Sequence, residues 1–141
     1  MPQNIAIDLN IIMDVLLERS GFLASQRILQ LAESGGYDLY ISAHIVTTFA
    51  YLLEAAKVPR PEIARQLDWL LQTFQTVPAT SSVLKAAQKS KITDFEDAVI
   101  EQAALAANAS VIITRNVKDF TASAVVALTP EVYLSKRNEP A

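Results

Sequence analysis

The chain has 141 residues, a hydrophobic fraction of 51% and only three glycines, enough apolar material for the core of one ordinary globular domain. It has no cysteine, which excludes disulfides, thiolate nucleophiles and sulfur-ligated zinc, so that any metal site would have to use oxygen ligands. Twelve basic against fifteen acidic residues give a formal charge of −3, which excludes a protein that holds nucleic acid by phosphate neutralisation alone.

In chain order, Ile5 to Asp8 reads as a short apolar strand entering a helix around Ile11 to Arg19. A second helix spans Gly21 to Ser34 and is stopped by Gly35-Gly36, as glycines past a helix end do. Leu39 to Ile41 makes a strand; Ser42 then caps a helix that runs to about Lys57 and ends at Pro59. Pro61 suits the first turn of an amphipathic helix through Ile63, Leu67, Leu70, Leu71 and Phe74, and Thr76-Val77 is another short strand. The apolar residues Trp69, Leu70, Leu71 and Phe74 are expected in the core, with a dimer surface as the other reading. Thr80 to Ser90 is helical. Thr93-Asp94-Phe95-Glu96 has the spacing of a capping box, in which Thr93 and Glu96 satisfy each other's orphan amides before an Ala-rich helix to Ala107. Val111 to Thr114 is a β-branched strand, Val125 to Leu128 a final one, and Pro130 opens a short closing helix. Such alternation predicts a three-layer α/β/α domain around a mostly parallel central sheet, spanning residues 1–135, with a polar tail over 136–141. The first twenty residues have no basic start, and no apolar run approaches the ~18 residues that cross a bilayer. The expectation is a soluble, cytoplasmic protein with no membrane partner.

In open parallel sheets the ligand crevice lies beyond the carboxyl ends of the strands. Asp8 ends the first strand, with Asn10 just after it; Ser42 ends the second; Asn116 and Asp119 follow the 111–114 strand, and Asp94 and Asp97 occupy the first turn of the helix to Ala107. Asp8, Asp97 and Asp119 could therefore converge on one edge of the sheet, where carboxylates without cations would repel one another. Hard oxygen ligands suit Mg2+ or Mn2+, and two such ions ~3.5–4 Å apart can activate a water and stabilise the leaving oxygen in phosphodiester cleavage. Such ions would also let a negatively charged protein work on a polyanion.

The segments Asp8-Leu9-Asn10, Ser42-Ala43, Asp94-Phe95-Glu96-Asp97-Ala98 and Thr114-Arg115-Asn116-Val117-Lys118-Asp119-Phe120 occur in the order and spacing of PIN domains. Over roughly Ile5 to Leu128 the chain resembles that family. The resemblance implies a metal-dependent ribonuclease whose catalytic and metal-holding residues are Asp8, Asp97 and an acidic or amide position in the last motif, where Asn116 stands at the usual aspartate position and Asp119 one turn on can substitute; Asp94, three residues before Asp97 on the same helical face, is a further ligand candidate. It implies RNA as substrate and, because single-domain bacterial members include the toxins of toxin–antitoxin pairs, an antitoxin protein as a partner. Asn10, Ser42, His44, Thr48, Thr114 and Arg115 are expected to line the site.

One departure stands out. Six residues after Ser42, where PIN nucleases usually carry a glutamate, this sequence has Thr48, a neutral residue and a poor ligand. The sole histidine, His44, stands four residues before it on the same helical face. Several residues also have ordinary structural readings. Asp94, Glu96 and Asp97 complement a helix dipole, Asn10 can cap a helix, Asp119 can be a turn residue, and Arg115 and Lys118 can be solvated loop cations. Three other functions compete. A dinucleotide-binding dehydrogenase lacks its Gly-rich turn after the first strand, and an aspartyl phosphatase would need a second Asp where Asn10 stands. A PIN-like module that has lost a metal ligand and binds RNA or a protein remains as the alternative.

Overall fold

A computed structural model describes residues 2–137. Five strands, β1 (Gln3–Ile7), β2 (Tyr37–Ser42), β3 (Gln75–Val77), β4 (Val111–Ile113) and β5 (Ala127–Leu128), form one sheet in the order β3-β2-β1-β4-β5, and every pairing is parallel. The helices are α1 (Leu9–Leu17), α2 (Phe22–Gln30), α3 (Ala43–Ala55), α4 (Arg60–Thr73), α5 (Ser81–Gln88), α6 (Phe95–Ala106) and α7 (Pro130–Arg137), with 3-10 turns at Leu31–Glu33 and Val117–Phe120. None of these helices is long and apolar enough to cross a membrane.

Ile5, Ala6 and Ile7 of β1 and Val111, Ile112 and Ile113 of β4 are all buried, the continuous apolar run expected of parallel strands covered on both faces. The chain starts at the centre of the sheet, steps outward through β2 and β3, then returns to the other side of β1 for β4 and β5. Right-handed crossovers put the helices of the outward steps and of the return step on opposite faces, giving the three layers expected from the sequence. The order reverses between β1 and β4, so this is the switch point beyond whose carboxyl ends a crevice opens.

Several boundaries moved for identifiable reasons. The first helix begins at Leu9, not Ile11, because Asp8 itself is its N-cap, accepting from the Leu9 amide at 2.7 Å. The second breaks into a 3-10 turn at Leu31 and stops before Gly35, whose φ of +75° is readily adopted only by glycine. The expected Thr93 to Glu96 box is absent. Asp94 is the N-cap of α6 and accepts from the Asp97 amide at 3.0 Å, which leaves the Glu96 carboxylate out of the cap. Leu70 of α4 and Phe74, just past its end, are core as expected, but Trp69 and Leu71 are exposed, since adjacent residues on a helix point to different faces. The last strand shortens to Ala127–Leu128, although the Val126 carbonyl still accepts from the Ile112 amide at 2.9 Å. Lys136 and Arg137 complete α7 in place of opening a tail, and 138–141 lie outside the described residues.

Candidate active site

The site is organised around Asp8. Its amide donates to the Ile113 carbonyl at 3.0 Å, so the β1–β4 pairing extends to the first residue past the strand and delivers the side chain to the switch point. The residue is 8% exposed. One carboxylate oxygen caps α1; the other accepts from the Thr114 hydroxyl at 2.8 Å and from the Asn10 side-chain amide at 3.2 Å. Burial pushes the Asp8 carboxyl above its ordinary value, the Thr114 and Leu9 hydrogen bonds pull it back, and Glu96 and Asp119 add repulsion.

Thr114 follows β4 and is fully buried. Its hydroxyl donates to Asp8 and accepts from the Asn116 amide at 3.0 Å, while the Asn10 carboxamide oxygen accepts from the Arg115 amide at 3.3 Å. Asn10 therefore works from inside α1, tying the loop after β1 to the loop after β4, and the cap it could have supplied belongs to Asp8.

Asp97 enters from the first turn of α6. Its carboxyl is raised to about 6, first by burial and then by repulsion from Asp94, Asp8, Asp119 and Glu96. Asp8, Asp97 and Asp119 thus come within electrostatic reach of one another from three separate parts of the chain. Asp94, Asp97 and Asp119 line a cleft of about 270 Å³ together with Lys91 and Lys118. Asn116 is exposed at the start of the Val117–Phe120 turn.

Four other expected residues are otherwise placed. Ser42 occupies the N-cap position of α3 without a side-chain cap, its hydroxyl lying 2.7 Å from His44 Nδ1. The other ring nitrogen, His44 Nε2, is buried with no hydrogen-bond partner among the described residues, and burial lowers the pKa of the ring against a contrary pull from Glu96. The Thr48 hydroxyl turns back along α3 to the His44 carbonyl at 3.2 Å. The Arg115 guanidinium points away from the cleft. It donates to Asp14 at 2.9 Å, to the Gly21 carbonyl at 2.7 Å, to Ser25 at 3.1 Å and to Glu131, clamping α1, α2 and α7 together.

Two acids had escaped the sequence reading. Asp14, buried on α1, accepts from Arg115 and from the Ser25 hydroxyl at 3.0 Å; an acid inside the apolar run Ile11-Ile12-Met13-Asp14-Val15 was the available signal, since such a charge needs a partner. Glu101, 3% exposed on α6, accepts from Ser90 at 2.6 Å and from the Ala124 amide at 2.8 Å, which anchors the loop carrying Thr121 and Ala122 of the cleft wall. Burial alone would raise its carboxyl, but these hydrogen bonds outweigh it and the value is lowered. No local pattern announces Glu101, because its partners come from two other elements.

The donor set of the crevice is entirely oxygen, which suits a hard divalent ion. Among the described residues, no three His, Asp or Glu side chains are gathered closely enough to hold an ion as a closed set.

An acid-lined crevice at the switch point of a five-stranded parallel sheet is the ligand site of an open α/β domain. The sequence model of the PIN domain matches residues 4–118, and the chain belongs to that family. PIN domains are nucleases and generally depend on divalent metal. Solved structures with the same fold include VapBC2 from Rickettsia felis bound to a DNA fragment from its promoter (TM-score 0.72, 16% identity, covering 90% of this chain and 98% of that one). A toxin–antitoxin complex from Klebsiella pneumoniae gives a TM-score of 0.66 at 22% identity, covering 89% of this chain and 96% of that one. VapBC-1 from nontypeable Haemophilus influenzae gives 0.66 at 19%, covering 92% and 99%. No curated protein sequence matches the chain.

Proposed function

We propose that the chain is an Mg2+- or Mn2+-dependent endoribonuclease that works in the cytoplasm through Asp8, Asp97 and Asp119, with Asp94 and Asn116 at the margin of the site. The observation that carries this reading is the Asp97 carboxyl, raised to about 6 in a cleft shared with Asp94 and Asp119 and in reach of Asp8. Four acids within electrostatic reach repel one another, a cost that a bound cation would relieve. Perturbed carboxyls gathered in a cleft are also what metal-assisted hydrolysis requires. When bound, a divalent ion supplies Lewis acidity towards the phosphate and lowers the pKa of a coordinated water. The protein's share is positional: Thr114 and Asn10 fix the Asp8 carboxylate, the first turn of α6 presents Asp97, and the Val117–Phe120 turn presents Asp119 and the Asn116 amide.

One solved structure of this fold is a toxin–antitoxin complex from Klebsiella pneumoniae, which supports a toxin role with a protein antitoxin as partner. One observation favours a second reading, a weakened module that binds RNA or protein without cutting: the Thr48 hydroxyl is spent on its own helix and contributes no charge. Cleavage of single-stranded RNA with Mn2+, Mg2+ or chelator, in the wild type and in Asp8→Asn, separates the two. Metal-dependent cleavage lost in Asp8→Asn supports the nuclease; RNA binding that is indifferent to metal and to Asp8 supports the module.

A further inference from the structure

We propose that Phe95 and Leu84 form a shelf on which a base of single-stranded RNA stacks beside the acid cleft, while Lys91 and Lys118 contact its phosphates. The inference rests on the nuclease reading of that cleft.

Phe95 is the first residue of α6 and is 52% exposed; Leu84 of α5 is 38% exposed. Both line one depression of about 520 Å³, together with Ser81, Lys85 and Gln88. Helix initiation does not explain the aromatic ring, because Asp94 already caps α6 and phenylalanine is an indifferent helix former. Isolated exposed apolar residues are ordinary, but here two of them from adjacent elements make one surface. That depression and the acid cleft flank the same first turn of α6: Phe95 lines the one, while Asp94 and Asp97 line the other.

The cations give the occupant its chemistry. Lys91 and Lys118 line the acid cleft and are exposed, yet among the described residues neither forms an ion pair. Two lysines beside a carboxylate cluster suit a chain of phosphates that bridges a metal-neutralised centre, with lysine acting as a point charge. They do not suit a duplex, whose bases are hidden, whereas a single strand offers a π-face at each nucleotide. At a net charge of −3 long-range attraction for RNA is absent, so the affinity must come from a few local contacts. Stacking on one aromatic ring is worth enough to matter in that balance.

The test measures binding of a labelled single-stranded oligoribonucleotide to the full chain, with Ca2+ in place of Mg2+ or Mn2+, over a series of salt concentrations. Phe95→Ala weakens binding roughly tenfold or more with the salt slope unchanged, because stacking releases no counterions. Lys118→Ala and Lys91→Ala each reduce the slope by about 0.7, the contribution of one phosphate contact on a single strand. Phe95→Trp keeps the affinity and gives a fluorescence signal that RNA quenches, above that of Trp69, the sole tryptophan of the wild type. Wild-type affinity in Phe95→Ala, with cleavage intact, overturns the shelf and leaves the nuclease reading standing. Loss of a dimer in Phe95→Ala at unchanged RNA affinity makes the surface a contact between copies and also overturns it. A wild type that neither binds nor cleaves RNA removes both readings together.

Discussion

The Thr114 hydroxyl donates to the Asp8 carboxylate at 2.8 Å across a separation of 106 residues. The contact exists because β1 and β4 pair in parallel register up to Ile7 and Ile113, so the next residue of each strand emerges at the same edge. Thr114 opposes the burial that raises Asp8. Thr114→Val keeps the shape and removes the donor. It is expected to cost about 1–2 kcal/mol of stability at neutral pH, the usual effect of leaving a buried acceptor short of a partner, and to weaken divalent-ion binding. Thr114→Ser should restore both. Thermal melts with and without Mn2+ make the comparison; a valine variant with wild-type stability and metal response would show that Asp8 does not depend on this hydroxyl.

The Asp97 carboxyl, raised to about 6 from an ordinary 3.8, has a consequence for stability without metal. The folded state holds this proton more tightly than the unfolded state, so between the two values stability falls as pH rises, and above about 6 the whole penalty is present. Asp97→Asn removes it. In chelator at pH 7 the variant should be more stable than wild type by about 1 kcal/mol, after allowing for solvent screening of a half-buried group, and the difference should vanish below pH 4. With Mn2+ the order should reverse, because the wild type gains a ligand that the variant lacks. Denaturant melts across this pH range decide it, and an equal pH profile for the two proteins would mean that Asp97 is not strained by its neighbours.

Arg115 illustrates what the sequence left hidden. It sits in the Thr114 to Phe120 segment, and proximity in sequence to Asn116 and Asp119 suggested a place in the crevice. The guanidinium instead spans Asp14, Gly21, Ser25 and Glu131. Gly21, at φ +83°, would bring a Cβ within 2.9 Å of that guanidinium, so the position is closed to larger residues twice over. Arg115→Met leaves the buried Asp14 carboxylate with only the Ser25 hydroxyl and Arg19 at 4.0 Å and is expected to destabilise by about 2 kcal/mol, and Arg115→Lys by nearly as much because an ammonium cannot reproduce the fork. Neither should change the RNA salt slope. Equilibrium unfolding and the binding series check both statements; a stable Arg115→Met with a reduced slope would return Arg115 to the substrate.

The parallel sheet, its layers and the strand-end position of Asp8 were legible because they follow from local apolar runs and from a rule about where such runs end. The Val111 to Ile113 strand is entirely β-branched and announces itself. What stayed hidden depends on contacts between distant segments. Thr93 and Asp94 are both good caps, and only the three-dimensional path of the Ser90 to Asp94 loop chooses Asp94. The Asp14–Arg115 pair and the Glu101 anchor join residues 101 and 23 positions apart, a distance at which spacing carries no signal.

Thr48 is the position at which the α3 wall of the site can be tested directly. It is half-buried, one helical turn after His44, and its hydroxyl is bonded to the His44 carbonyl at 3.2 Å. The neighbouring imidazole feels Glu96 of α6, which in turn repels Asp8 and Asp97, so this face of α3 lies within reach of the acid cluster. Thr48→Glu would place a carboxylate at the position where the sequence resemblance expects one. Added negative charge should strengthen attraction for a divalent ion and, without one, increase repulsion from Asp8 and Asp97. The variant is therefore expected to be less stable than wild type in chelator by about 1–2 kcal/mol, to recover when Mn2+ is supplied, to bind Mn2+ more tightly and to cleave RNA faster. Calorimetric titration gives the affinity and a cleavage assay on single-stranded RNA the rate. If Thr48→Glu changes neither while Asp8→Asn abolishes both, the site works without a further carboxylate from α3. If neither substitution affects metal binding or cleavage, the crevice is not a metal nuclease centre.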